Sequence, residues 1–511
     1  MTDAADLLIR NAEVHSLTDP DETHEAVAVR DGRIVRVGKT YEVDFLEGVE
    51  TEVVDLDGRV LLPGFVDAHT HVVNVGRSLV HADLSAADSL EGALDRLRER
   101  AAEVGPDGWV LGFGYDESNW DDDRYLTRDD LDAVADDRPV AAIREDVHTA
   151  SVNSVVLDRF AEEFADSDDV HRADGDPTGV LVESAVGVVT DAVEPDVEET
   201  RDLVTATQRY ANERGVTAVH DMVRNSHAPG VYRELDLADE LTMRVRINYW
   251  SDHLDSLIDA GLRTNHGSEM VRTGAIKSFT DGSFGGRTAK VSEPYADGEG
   301  TGRWVVDPEE LRELVTEADD AGFQLTVHAI GDEAVDVTLD AFEACWDPGA
   351  SRHRVEHAEL ASDEAIERFA DLGVVASMQP NFLKWAAPGG LYDARLGDRR
   401  GETNRFPAYL DAGAPLAFGS DCMPLSPLLG VHHAVNAPDD RQALSVTEAL
   451  RAYTRGAAYA GFDEDRLGTV EVGKRGDFVA LGRSPWESPG SIADIDVALT
   501  VVDGEVVYDG R

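Results

Sequence analysis

Residues 61–71 read LLPGFVDAHTH, an apolar run that ends in Asp67-Ala68-His69-Thr70-His71. A strand buried on both faces has this near-continuous apolar character, and residues two apart along it point the same way. His69 and His71 can therefore reach one metal ion together, and imidazole suits zinc, iron and other borderline divalent cations. Taken alone, the pair is equally compatible with two polar residues at the mouth of a barrel. What the other apolar runs end in decides between the two.

Seven more such runs follow: VTAVHDM (216–222), MRVRINYW (243–250), AIKSFT (275–280), FQLTVHA (323–329), HRVEHA (353–358), VVASM (374–378) and PLAFGSD (415–421). Between most of them lie amphipathic helical stretches such as EETRDLVTATQRYANERG and DPEELRELVTEADDAG. The second opens on Asp307-Pro308, an N-cap followed by a first helical residue, and stops at Gly322. Strands alternating with helices predict an α/β fold, a (β/α)8 TIM-like barrel over residues 61–464, with active residues at the C-terminal ends of its strands. His220, His328, His357 and Asp421 all stand at such ends. Each alone would read as a hydrogen-bonded structural residue; placed together they indicate a site.

Lys277 sits midway through AIKSFT, and the chain has only four other lysines, Lys39, Lys290, Lys384 and Lys474. A charged Lys inside an apolar strand is costly. One reading pairs it structurally with a nearby acid such as Asp281. The other makes it a desolvated amine of lowered pKa that adds carbon dioxide, giving a carbamate able to bridge two metals.

Both chain ends carry short strands joined by Asp-Gly turns, at Asp31-Gly32 and Asp503-Gly504. Neither end can close a core alone, so residues 1–60 and 465–511 are expected to form one small composite β-sandwich. Residues 75–198 exceed any ordinary βα loop and contain the strand-like pieces WVLGFG and PVAAIRE. They predict an inserted α/β subdomain over the barrel mouth, where substrate would be selected.

The chain has 511 residues, 42% of them hydrophobic, enough for a barrel-sized core. Its 46 basic and 102 acidic side chains leave a formal charge of −56, which argues against nucleic acid and anionic membranes as partners. Acid spread along the whole length with few lysines reads as a halophile's protein, in which concentrated salt screens the self-repulsion. The start, MTDAADLLIRNAEVHSL, lacks the basic and apolar regions of a signal peptide. Only Cys345 and Cys422 are present, too few for a disulfide framework or a Cys-rich zinc site. The expected location is cytoplasmic.

The stretches LLPGFVDAHTH, GYDESNW, GAIKSFTDGSFGGRTA, TVHAIGDEAVD, RHRVEHAEL and GSDCMP resemble the amidohydrolase superfamily, and more closely its family 3 branch, which includes N-substituted formamide deformylases. The resemblance covers most of the chain and implies a metal-dependent hydrolase of C–N bonds other than peptide bonds. By position, His69 and His71 match the first metal's histidine pair and Lys277 the bridging carboxylated lysine. His328 and His357 match the second metal's ligands, and Asp421 matches the catalytic acid that binds the first metal and shuttles a proton. One or two divalent ions, zinc foremost, are the implied cofactors, with carbon dioxide as the source of the carbamate and metal-activated hydroxide as the nucleophile.

Weaker candidates surround this set. Asp281, Arg287 and Thr288 lie in a Gly-rich loop after the lysine strand and are candidates to line a substrate pocket. Tyr115, Asp116, Trp120, His148 and Asn153 of the insertion are candidates to cover the substrate, or equally to form the subdomain's polar core. His220 reads as a support for the ligands, and Cys422 as a packed residue beside Asp421. The expected partner is a small-molecule substrate, with a homodimer left open. Two alternatives stand beside the hydrolase: a mononuclear deaminase using His69, His71, His328 and Asp421 with Lys277 structural, and a non-catalytic, metal-stabilised binding protein.

Overall fold

The computed structural model describes residues 4–105, 108–117, 120–122, 124–144, 149–165 and 167–511. The chain divides into two compact units, one of Met1–Val72, Gln208–Asn225 and Pro229–Arg511, the other of Val73–Thr207 and Ser226–Ala228.

Eight parallel strands carry the first unit. They are β1 (Phe65–Thr70), β2 (Val216–Val223), β3 (Arg244–Trp250), β4 (Val271–Phe279), β5 (Leu325–Ala329), β6 (Arg354–His357), β7 (Val375–Met378) and β8 (Leu416–Phe418). Each pairs with its neighbour in chain order, as expected of βα units whose strands are buried on both faces. All six residues of β1 and all eight of β2 are buried. The curved sheet is TIM-like, and its first and last strands meet just past their ends. There the Asp421 N–H donates to the His69 carbonyl at 2.7 Å and the Ser420 N–H to Asp67 Oδ1 at 3.0 Å. Glycine at 419 permits this approach, since a Cβ there would come 2.4 Å from the His69 nitrogen.

The connecting helices start and stop where the sequence signals them. Asp307 caps the helix Pro308–Asp320 by accepting from the Glu309 N–H. Ser362 caps Asp363–Leu372, which ends on Gly373 at φ +64°.

The run 61–69, read from sequence as one strand, is two. Val60–Pro63 pairs with Phe478–Leu481 and Glu13–His15 in a terminal sheet, and only Phe65 onward enters the barrel. The break falls at Gly64, whose N–H donates to the Asp477 carbonyl and so leaves the barrel ladder.

Residues from both ends build two sheets. One has four strands, in the order Arg33–Gly38, Ala26–Arg30, Leu7–Arg10 and Glu52–Asp55. The other has six and includes Glu505–Asp509, Val497–Val502 and Phe478–Leu481. Leu7, Ile9 and Val29 of the first share an apolar cluster with Leu61, Phe478 and Val501 of the second. Both Asp-Gly pairs form two-residue hairpin turns with positive φ at each position, 50° and 70° at Asp31-Gly32 and 55° and 85° at Asp503-Gly504.

The second unit holds its own six-stranded mixed sheet, ordered Val170–Ala173, Asp176–Val182, Thr149–Val152, Val140–Arg144, Val110–Tyr115 and Ala82–Asp83. Two apolar clusters fill it, one including Leu94, Leu97 and Trp120, the other Ile143, Val156 and Phe164. Among the described residues no helix is long and apolar enough to cross a membrane.

Candidate metal centre

The C-terminal end of β1 presents His69, 1% exposed, and His71, whose side chain is a quarter exposed. Nδ1 of His69 lies 2.6 Å from Glu356 Oε2, and Nδ1 of His71 lies 3.2 Å from the Met222 carbonyl. A carbonyl only accepts, so Nδ1 of His71 carries the proton and Nε2 keeps a lone pair. The Nε2 atoms of His71 and His69 lie 3.3 Å and 3.5 Å from the same oxygen, Asp421 Oδ1. Asp421 is turned towards them by a left-handed backbone, φ +51°.

Deeper in the same end, the rings of His328 and His357 are 4.5 Å apart, and that of His357 is 5.1 Å from His69. Nε2 of His328 is 3.0 Å from the Gly282 carbonyl, which leaves its Nδ1 as the ligand atom. His357 stacks on Phe382 and has no partner for its buried Nδ1. Lys277 is 1% exposed, and its Nζ has no hydrogen-bond partner but lies 4.9 Å from the centre of the Phe279 ring. The pairing with Asp281 that the sequence leaves open does not form. Asp281 spends its oxygens on the N–H groups of Lys290, Ile330 and Gly331.

The charges follow from this packing. Burial pulls the Lys277 amine down to about 8. Burial and the nearby Lys277 pull His328 down to about 3, and burial together with His328 carries His357 well below its ordinary value. Burial opposes a charge on His71, but Asp421 outweighs it and raises that ring's pKa. Burial likewise works against the Asp421 carboxylate, yet His69, His71 and His357 hold it well below the usual range.

Ligand atoms of His69, His71 and Asp421 all lie within 4.8 Å of one another. A proton satisfies one pair of these atoms at a time, whereas a divalent cation satisfies two lone pairs and a carboxylate together. With the orphaned Nζ of Lys277 and Nδ1 of His357 beside them, this donor set fits such a cation. Asp319, Cys345 and His353 also lie close together. They do not make a second centre, because the Leu325 N–H takes the Nδ1 lone pair of His353 at 3.1 Å. Its proton then sits on Nε2, 3.2 Å from Asp319, and no lone pair remains for a metal.

The sequence reading missed the support beneath these ligands. Glu356, on His69, is fully buried and is held in turn by Arg354 Nε at 2.8 Å and by the Thr326 hydroxyl. Arg354 also donates to the Ala68 carbonyl at 2.6 Å, to Ser377 Oγ at 2.9 Å and to His220 Nδ1 at 2.8 Å. The signal was present: an Arg and a Glu two apart in an apolar strand face the same way and need partners. Strand alternation would send His357 to the opposite face from Glu356, but its φ of +73° breaks the alternation and lets both touch His69.

Tyr115 and Trp120 are buried in the apolar core of the second unit. Tyr115 bonds Ser151 Oγ, and Trp120 Nε1 donates to the Ala87 carbonyl. Asn153 caps the helix Ser154–Arg159, and Asp116 pairs with Arg144. Arg287 is exposed and paired with Asp297, and Thr288 Oγ1 accepts from the Ser283 N–H. His148 lies outside the described residues.

A family model described as the amidohydrolase family matches residues 52–508. Protein LONG AFTER FAR-RED 3 of Arabidopsis thaliana is 31% identical, over 99% of this chain and 92% of that protein. The N-substituted formamide deformylase of Arthrobacter pascens is 28% identical, over 100% of this chain and 99% of that protein. A crystal structure of an uncharacterized metal-dependent hydrolase from Pyrococcus furiosus superposes with a TM-score of 0.80 at 30% identity, covering 94% of this chain and 99% of that one.

Proposed function

This chain belongs to the amidohydrolase family, and on that premise we propose that it is a metal-dependent hydrolase of an amide- or formamide-type C–N bond in a small molecule. The observation that carries this reading is the convergence of Nε2 of His69, Nε2 of His71 and Oδ1 of Asp421, each imidazole fixed through its other nitrogen. The near full-length likeness to a formamide deformylase supports the bond type.

His69, His71 and Asp421 would hold one cation, zinc by the character of the donors. His328 and His357 would hold a second, with Lys277 bridging as a carbamate. In forming it, the neutral amine adds to carbon dioxide, an N–C bond forms and one proton leaves to solvent. A bound cation supplies Lewis-acid activation of water and of the substrate carbonyl. Asp421, ionised at neutral pH, accepts the proton that water gives up as its oxygen bonds to the carbonyl carbon. It returns that proton to the nitrogen as the C–N bond breaks. Glu356 keeps the His69 ring oriented throughout.

The charge of −56 supports a working environment of concentrated salt, and two free cysteines support a reducing, cytoplasmic compartment. A screen of amides, formamides, lactams and esters in molar potassium chloride with added zinc tests the reading. Amine release that a chelator abolishes is expected; folded, metal-loaded protein inert on every class would favour a metal-stabilised binding protein. The mononuclear deaminase remains the second reading, because His69, His71 and Asp421 come within mutual ligand range without Lys277. One metal per chain rather than two would select it.

A further inference from the structure

Beneath the metal centre, towards the N-terminal ends of β1–β4, lies a cavity of about 20 Å³ lined in part by Arg244, Arg246, Arg272, Arg466, Asp463 and His220. The structure puts His220 midway along β2 and not at the strand end where the sequence reading placed it. The cavity's four guanidiniums are held by carboxylates, Arg244 by Asp477 and Asp503, Arg246 and Arg272 by Asp463, and Arg466 by Glu269 and Asp463. Glu269 and Asp463 are the carboxylates that line it.

Several N–H groups there have no acceptor. Nε of Arg246 and Nε of Arg466 are buried without a hydrogen-bond partner. Arg246 is only 3% exposed, and its two outer nitrogens are already committed to Asn265 and Asp463. Burial lowers its pKa; Asp463 opposes the fall, and the charges of Arg272 and Arg354 add to it. His220 adds a third donor. A guanidinium only donates, so Arg354 makes Nδ1 of His220 an acceptor at 2.8 Å. Burial and the charges of Arg354 and Arg246 keep the ring neutral, so its proton sits on Nε2. Glycine at 461 leaves these donors clear: a Cβ there would come 2.6 Å from His220 Nε2 and 2.9 Å from Arg246 Nε.

We propose that this cavity binds one small monovalent anion of the halide class. Its volume suits a single occupant of about the size of a water. Nε2 of His220 and Nε of Arg246 lie within 2.9 Å of one point, the position of a Cβ at 461, and Arg466 lines the same cavity, so the occupant must accept from more than one side. A water offers two lone pairs to these donors and must place its own two hydrogens on Glu269 or Asp463, whereas a halide accepts charge-assisted hydrogen bonds from all of them. The bound anion would brace His220, whose partner Arg354 holds the Glu356 carboxylate on His69.

Crystals of the full chain grown in sodium bromide, with data collected at the bromine absorption edge, test this directly. An anomalous peak inside the cavity, nearest to Arg246 Nε, Arg466 Nε and His220 Nε2, is expected. Water density there without anomalous signal would overturn the proposal, wherever else bromide appears. In solution, exchanging potassium gluconate for potassium bromide at constant ionic strength should raise Tm along a saturating curve, and Arg466→Gln should abolish that rise. No rise in the native chain, or the same rise in the variant, would also count against it.

Discussion

Glu356 Oε2 lies 2.6 Å from Nδ1 of His69, although the two residues are 287 positions apart in the chain. This contact ties β6 to β1 and leaves Nε2 of His69 as the nitrogen that faces Asp421. The carboxylate is fully buried, and burial works against its charge. Arg354 and His69 more than offset that cost and hold its pKa well below the ordinary value.

Glu356→Gln should therefore weaken zinc binding by about 10–100-fold, the usual effect of losing a partner behind a metal-bound histidine. It should also cost about 3–5 kcal/mol of stability by leaving Arg354 without its buried counter-charge. Competitive zinc titration and urea unfolding measure the two effects. Unchanged zinc affinity in folded Glu356→Gln would remove Glu356 from the centre.

Asp421→Asn should keep the fold and lower turnover by about 10²–10⁴-fold, because the amide cannot accept and return a proton. Metal content measured beside the rate separates a lost proton carrier from a lost ligand. Near-normal turnover in metal-loaded protein would show that the proton travels by another group.

Lys277→Met replaces a buried amine that has no hydrogen-bond partner with an apolar side chain of similar shape. Thermal stability of the metal-free protein should stay level or rise, while the second metal and the activity are lost. A short carboxylic acid should partly restore metal binding to Lys277→Ala. A folded Lys277→Met that still carries two metals per chain would exclude the carbamate.

The same lysine sets a pH dependence. Its amine titrates at about 8 in the folded protein against an ordinary 10.5, lowered by burial. Below pH 8 it is protonated in both states, and the penalty for its buried charge is present in full. Between pH 8 and 10.5 the unfolded chain binds more protons, so stability of the metal-free protein in CO2-free buffer rises with pH. The rise amounts to about 3 kcal/mol by linkage and should be missing from Lys277→Met. Urea unfolding of both proteins across this window gives the comparison; identical slopes would place the titration elsewhere.

With a formal charge of −56, stability and hydrolysis should fall at low salt. The Debye length shrinks from ~10 Å at 0.1 M to ~3 Å at 1 M, so concentrated salt removes most of the repulsion between exposed carboxylates. Thermal unfolding from dilute to multimolar potassium chloride reads this out. Equal stability at both ends would remove the inference of a high-salt environment.

Features that act within a few residues were determined by the sequence alone. Apolar runs of strand length marked β2 to β8 to within a few residues, and the two Asp-Gly pairs marked their hairpins. His69 and His71 declared their shared direction through strand alternation. Only the tertiary structure decided the rest, because each remaining feature depends on a partner distant in the chain. The run 61–69 divides at Gly64 because Phe478–Leu481 supplies the ladder for Val60–Pro63. Asp281 is taken by three backbone N–H groups, which leaves Lys277 without the acid that local sequence offered it. His357 joins the centre through a positive φ that alternation does not anticipate. Arg354 and Glu356 acquire their roles from His220, Ala68, Ser377 and His69, contacts that exist only once β1, β2, β6 and β7 have assembled.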